Sequence, residues 1–124
     1  MEMKLKKLCF DLSVCKIASI SDFNAKKDFY FFSRTDEELS LVCPTESVPQ
    51  NAEKRSDGWR GFRIDGVLDF SMVGVLSKLS GILAENGIGI FAVSTYNTDY
   101  ILVKSPDYER AMDILERSGY EVSD

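Results

Sequence analysis

Histidine is absent from all 124 residues. That removes the imidazole base of Ser-His-Asp and Cys-His nucleophile activation, histidine metal ligands, and the usual proton shuttle near neutral pH. Cysteine is sparse and odd in number, at Cys9, Cys15 and Cys43. No Cys-x-x-Cys spacing occurs, and the three are poorly placed for a zinc site. They read as reduced, mostly buried thiols of a cytoplasmic protein, and no metal or other cofactor is expected. No apolar run approaches the roughly 20 residues of a membrane helix. Asp11 interrupts the apolar stretch behind the basic N-terminal segment, so no secretory signal is expected either. Positive charge is in deficit. Lys plus Arg number 15 against 20 Asp plus Glu, a net −5, which argues against a nucleic-acid phosphate backbone as partner.

What remains is an ordinary globular composition. Hydrophobic residues make up 44% and aromatics 11%, enough to anchor a core in one compact domain or two small fused units. The second half is the more legible. Trp59 to Ile64 alternates as a strand, with Phe62 and Ile64 on one face and Arg63 on the other, and Asp65-Gly66 breaks it. Residues 70 to 84 carry Met72, Val73, Val75, Leu76, Leu79, Ile82 and Leu83 at spacings of three and four, read as a helix with one wide apolar stripe. Asp69 or Ser71 can cap that helix, and Asn86-Gly87 ends it.

Ile88 to Ser94 reads as a buried strand, Tyr96-Asn97-Thr98 as a turn, and Tyr100 to Val103 as a central strand. Ser105-Pro106-Asp107 starts a second helix whose buried face is Tyr108, Ala111, Met112 and Leu115. Gly119 stops it before a last strand at Tyr120 to Val122. The order βαββαβ, with right-handed crossovers, predicts an α+β ferredoxin-like fold: antiparallel strands with both helices on one face.

The first half has strands at Leu8 to Ile17, Phe29 to Ser33 and Glu38 to Cys43, and a polar stretch from Thr45 to Asp57 without apolar period. Ser33, Leu41, Val42 and Gly58 match Ser94, Leu102, Val103 and Gly119, each 61 residues on. The expectation is a reduced unit over residues 1–58 that has lost its first helix, then a complete unit over 59–124. The strand around Trp59 closes one and opens the other.

Gly87-Ile88-Gly89 is a helix stop and no dinucleotide fingerprint, because it lacks the third glycine and opens no helix. Gly74, Ser77 and Gly81 form a small-residue line. Close helix packing and room for a ligand near the helix start both account for it. Asp65, Asp69 and Ser71 stand beside helix-start N–H groups. The amides suit an α-carboxylate and the acids an ammonium, so a zwitterion would satisfy both. For Asp69 ordinary capping is the competing explanation. Phe29 to Phe32 reads as core in preference to a base-stacking surface, and Arg60 and Arg63 as a solvated strand edge.

Trp59 to Leu76 and Ile90 to Val103, with Ser94-Thr95-Tyr96-Asn97-x-Asp99 as the most specific run, resemble an ACT domain of the CASTOR type. Glu37 to Pro44 is similar to the matching segment of small bacterial proteins with two ACT-like units. The resemblance covers residues 30 to 122. It implies a regulatory amino-acid-binding module, with ligand contacts in the helix-start loop at Gly74, Val75 and Leu76 and in the strand-end run at Thr95, Tyr96 and Asp99. There the aspartate meets a basic ligand side chain. Asp69, Ser71, Met72 and Asn97 complete the candidate set.

The arginine sensors of that type carry a glutamate where this chain has Met72, which weakens the case for a cationic ligand. They also have four ACT units, against one full and one reduced unit here, so a complete pocket calls for a homodimer. The expected protein is a cytoplasmic, non-catalytic amino-acid sensor, read by its own assembly or by a regulated protein partner, with no nucleic acid or membrane. The alternative is a structural or protein-interaction module with a vestigial pocket. An acyl-phosphate hydrolase on this fold would want an arginine in the helix-start loop, which here has two aspartates and none.

Overall fold

A computed structural model describes residues 3–66 and 73–124. The chain forms two compact units: a discontinuous one of Met1–Cys9 with Arg60–Asp124, and an inserted one of Phe10–Trp59.

The discontinuous unit is built on strands β1 (Lys4–Lys7), the end of β5 (Lys54–Ile64), β6 (Phe91–Ser94), β7 (Asp99–Lys104) and β8 (Glu121–Ser123), with helices α1 (Val75–Glu85) and α2 (Tyr108–Arg117). Its strand order is β6-β7-β5-β1-β8. Phe62 and Ile64 of β5, Ile101 and Val103 of β7, and Leu5 of β1 form one buried cluster with Leu79 and Leu83 of α1 and Tyr108, Ala111, Met112 and Leu115 of α2. Both helices therefore cover the same face of the sheet. Each of these large side chains contributes about 1.5–3 kcal/mol by leaving water, which fixes register: a one-residue slip of β5 would turn Phe62 and Ile64 outward.

The inserted unit holds β2 (Leu12–Ile17), β3 (Phe31–Arg34), β4 (Leu39–Pro44) and the beginning of β5, in the order β3-β4-β2-β5. Its core is Cys15, Ile17, Phe23, Leu41 and Cys43, with Tyr30 and Phe32 packed against it. No α-helix is found there. Two 3-10 turns, at Ile20–Asp22 and Thr45–Ser47, stand where the helices of a full βαββαβ unit would be. Phe29 and Phe31 are half-buried and stack edge-on, with ring centroids 5.3 Å apart.

Several sequence expectations need correction. The alternation from Leu8 to Ile17 is interrupted, because the chain passes from one unit to the other after Cys9. The basic segment before it, assigned to the first unit with no element read there, is β1 of the other. It pairs antiparallel with β5 (Leu5↔Ile64) and parallel with β8 (Leu5↔Val122), so the sheet is not wholly antiparallel. A four-residue strand of three lysines and one leucine carries almost no apolar pattern, since only Leu5 faces the core.

β5 starts five residues earlier than the alternation suggests, because Lys54 to Ser56 pair with Cys15, Lys16 and Val14 of β2 through the backbone, whatever their polarity. Helix α1 begins at Val75; Asp69, Ser71 and Met72 lie outside the described residues. Among the described residues strand β6 pairs only with β7, and it leaves Ala92 and Ser94 exposed, so it is not a fully buried strand. The second helix opens with a 3-10 turn at Ser105–Asp107 before α2.

The internal repeat is real in backbone terms, but its spacing is 60 and not 61. The β3–β4 hairpin pairs Phe31 with Val42 and Arg34 with Leu39. The β6–β7 hairpin pairs Phe91 with Leu102 and Ser94 with Asp99, 60 residues later in each case. Thr35 and Thr95 hold the two turns alike, each taking the carbonyl three residues on through its backbone N–H (Glu38 at 3.0 Å, Thr98 at 2.8 Å). Side-chain identity is sparse at this spacing, and four coincidental matches at 61 outweighed it.

Candidate functional site

Gly74 occupies the position before α1 with φ +82°, a left-handed conformation that only glycine adopts without strain. Its carbonyl accepts the first helical bond, from Lys78 N–H at 2.9 Å. Among the described residues no side chain caps the helix, and the amides of its first turn have no intrahelical acceptor. A Cβ at Gly74 would meet nothing within 4 Å, and neither would one at Gly81. Close packing therefore does not explain the small-residue line. At Gly74 the backbone turn does.

A cavity of about 250 Å³ opens at this helix start. Val73, Gly74, Val75 and Lys78 form one side, and Met3 with the Ser118–Tyr120 turn the other. Lys78 adds a cation one turn into the helix, on the side where an anion would meet the free amides. Tyr120 is buried, and that burial raises its phenol pKa. Leu76 belongs elsewhere, packed against the core.

The strand-end residues are held in a different way. Thr95 Oγ1 donates to the Thr98 carbonyl at 3.0 Å and accepts from Thr98 N–H at 3.3 Å. Thr98 Oγ1 donates to the carbonyl of Ile64 at 2.8 Å, tying the turn to the end of β5. Asp99 accepts from Ser94 Oγ at 2.6 Å, across the strand pair. Tyr96 is 80% exposed and Asn97 is exposed. None of Thr95, Tyr96, Asn97 or Asp99 is among the described residues lining the cavity at the helix start, which shares Gly74 and Val75 with the candidate set. Asp65 is paired with Arg63 at 3.3 Å, so its carboxylate already has a cation.

Met3, Val73, Lys78, Ser118, Gly119 and Tyr120 are the lining residues that the sequence did not mark as ligand contacts. Lys78 had a signal, four residues after Gly74 and hence on the same helical side. Met3, Ser118, Gly119 and Tyr120 arrive only through tertiary contact, as Glu121 N–H donates to the Met3 carbonyl at 2.9 Å. No group of three or more Cys, Asp or Glu residues among those described could hold a metal ion. No helix there is long and apolar enough to cross a membrane.

A family model described as an ACT domain matches residues 54–117, and a second one, for an N-terminal domain, matches residues 12–51. The cytosolic arginine sensor for mTORC1 subunit 1 from Rattus norvegicus is 30% identical over 96 residues, which is 72% of this chain. This chain spans only 29% of that sensor's length. A crystal structure of a protein from Agobacterium tumefaciens superposes with a TM-score of 0.86 at 32% identity, covering 99% of this chain and 93% of the other. The regulatory subunit of aspartate kinase from Thermus thermophilus shares the fold, with a TM-score of 0.66 at 10% identity, covering 94% of this chain and 97% of that one.

Proposed function

This chain belongs to the ACT domain family, and from that premise we propose that it is a non-catalytic regulatory protein of the cytoplasm that binds an amino acid. The observation that carries the reading is the cavity at the start of α1. Its first-turn amides, without a side-chain cap among the described residues, and Lys78 suit an α-carboxylate, and Gly74 lets a ligand approach the backbone. The arginine sensor among its relatives supports an amino acid as the ligand class. The candidate set stands as part of the proposal: Asp69, Ser71, Met72, Gly74, Val75 and Leu76 from the helix start, and Thr95, Tyr96, Asn97 and Asp99 from the strand end. Asp99 serves as counter-charge to the ligand's amino or guanidinium group.

The described cavity takes in only one of these two segments. A side-by-side homodimer would bring a second copy to it. Val73, 95% exposed on the cavity rim, and Tyr96 are the large hydrophobic side chains left in water among the described residues, as expected of surfaces covered on assembly. The state of the complex would then be read by that assembly or by a protein partner. Those exposed side chains equally suit an interaction module whose pocket is vestigial.

Thermal-shift screening against the standard amino acids separates the two readings. A ligand that binds the folded state raises the melting temperature by an amount that grows with the logarithm of its concentration over Kd. Shift by one or a few amino acids, with a solution mass of two chains, fits the sensor. No shift by any of them, whatever the mass, leaves the interaction module.

A further inference from the structure

A second cavity of the discontinuous unit, about 260 Å³, is lined by Lys7 at the end of β1, Leu8 and Cys9 after it, Arg60 of β5, Tyr108 and Glu109 in the first turn of α2, and Asp124. Its unusual member is Arg60. The guanidinium lies 4.5 Å from the centroid of the Tyr108 ring, held by stacking and not by a charge. Nη2 makes one long hydrogen bond, to the Leu8 carbonyl at 3.4 Å. Nε is shielded from solvent and has no acceptor. No carboxylate pairs with Arg60 among the described residues, whereas Lys7 in the same wall takes Asp124 at 3.6 Å, and Arg55, Arg63 and Arg110 each have an aspartate. Arg60 is thus a cation in the cavity wall with one buried donor unsatisfied and no ion pair among the described residues, although two acids, Glu109 and Asp124, share that wall.

We propose that this cavity binds a small monocarboxylate, held by the Arg60 guanidinium with Lys7 as supporting cation. Because Nε has no accessible surface, the incoming anion meets the Nη nitrogens, where it gives the Arg60 charge the counter-ion that no described residue supplies. A carboxylate fits the planar fork with two parallel hydrogen bonds. Glu109 and Asp124, in the same wall, oppose a multiply charged anion such as phosphate. Tyr108 is fixed beneath the guanidinium by its own hydroxyl, which donates to the Gly61 carbonyl at 2.8 Å, so the platform is ordered before the ligand arrives. The site is distinct from the cavity at the start of α1 and does not depend on what binds there.

The test is a titration of the uniformly isotope-labelled protein with acetate, at constant ionic strength set by chloride, following the Arg60 Nε–H resonance and the backbone amides. Arg60→Lys assigns that resonance by its loss. A parallel titration uses inorganic phosphate. We expect the Arg60 signal to shift saturably with acetate, and the Tyr108 and Glu109 amide shifts to be severalfold weaker in Lys7→Gln. A linear, non-saturating response to acetate overturns the proposal, as does saturation by phosphate alone. The parent protein decides both points, so loss of folding in either variant does not shelter the idea.

Discussion

The hydroxyl of Thr98, in the β6–β7 turn, donates to the backbone carbonyl of Ile64, the last residue of β5, at 2.8 Å. Thr98 is 6% exposed, so the bond is made where water does not compete. Thr98→Val keeps the shape and leaves that carbonyl without this donor, which should cost about 1–3 kcal/mol. Chemical denaturation should show the loss in the midpoint with the slope unchanged. A Thr98→Ser variant, which restores the hydroxyl, should recover part of it.

Asp99 tests the strand-end half of the proposed site. It holds the Ser94 hydroxyl at 2.6 Å, and Asp99→Asn can keep an acceptor there. The variant should fold normally, weaken a basic amino acid strongly and a neutral one modestly. If the ligand's charge is left buried and unpaired, the loss is on the order of 2–5 kcal/mol. Titration calorimetry that finds equal affinity in variant and parent for every ligand would reduce Asp99 to an ordinary hairpin residue.

Asp57 links pH to the inserted unit. Its carboxylate accepts from Ser13 Oγ at 2.6 Å and from Arg55 Nε at 3.1 Å, and these bonds, Ser13 first, lower its pKa. A depressed folded-state pKa gives stability above the unfolded value, lost as pH falls through the folded one. Ser13→Ala should therefore raise the pKa of Asp57, seen by carboxyl NMR titration, and lessen the acid dependence of unfolding. An unchanged Asp57 titration would mean that Arg55 alone sets it.

Tyr108 acts in the opposite direction of pH. Burial, more than any neighbouring charge, pushes its phenol up to about 12 from 10.0. A raised folded pKa means that the unfolded chain loses its proton first. Stability is whole below pH 10 and declines between there and about 12. Spectrophotometric titration should show one tyrosine ionising together with unfolding, and Tyr108→Phe should remove that step. Its loss of the bond to Gly61 should lower stability at neutral pH by about 0.5–1.5 kcal/mol.

Much of the discontinuous unit was legible because its elements bury one face each. Tyr108, Ala111, Met112 and Leu115 sit at helical spacing and are all buried, and Phe62 and Ile64 alternate into the same core. Solvent exposure writes that periodicity into a sequence directly. Lys4 to Lys7 could not be read that way, since one buried leucine makes no pattern and the pairing of β1 with β5 and β8 uses backbone groups common to every residue. The 60-residue repeat was obscured for a related reason: the two hairpins agree in hydrogen bonds and register, while their side chains have diverged.

The same division runs through the sites. Local sequence determined the apolar stripe of α1, whose spacing is a property of adjacent residues, but it put Gly74 inside the helix, where the backbone in fact turns left-handed just before Val75. Tertiary structure decided that Met3 and Ser118–Tyr120 would face Gly74 across a cavity, and that Arg60, read as a solvated edge, would lie on Tyr108 without a carboxylate. Those residues are distant in the chain and share no period. Only the burial of one core, which draws β1, β5 and both helices together, brings them within reach.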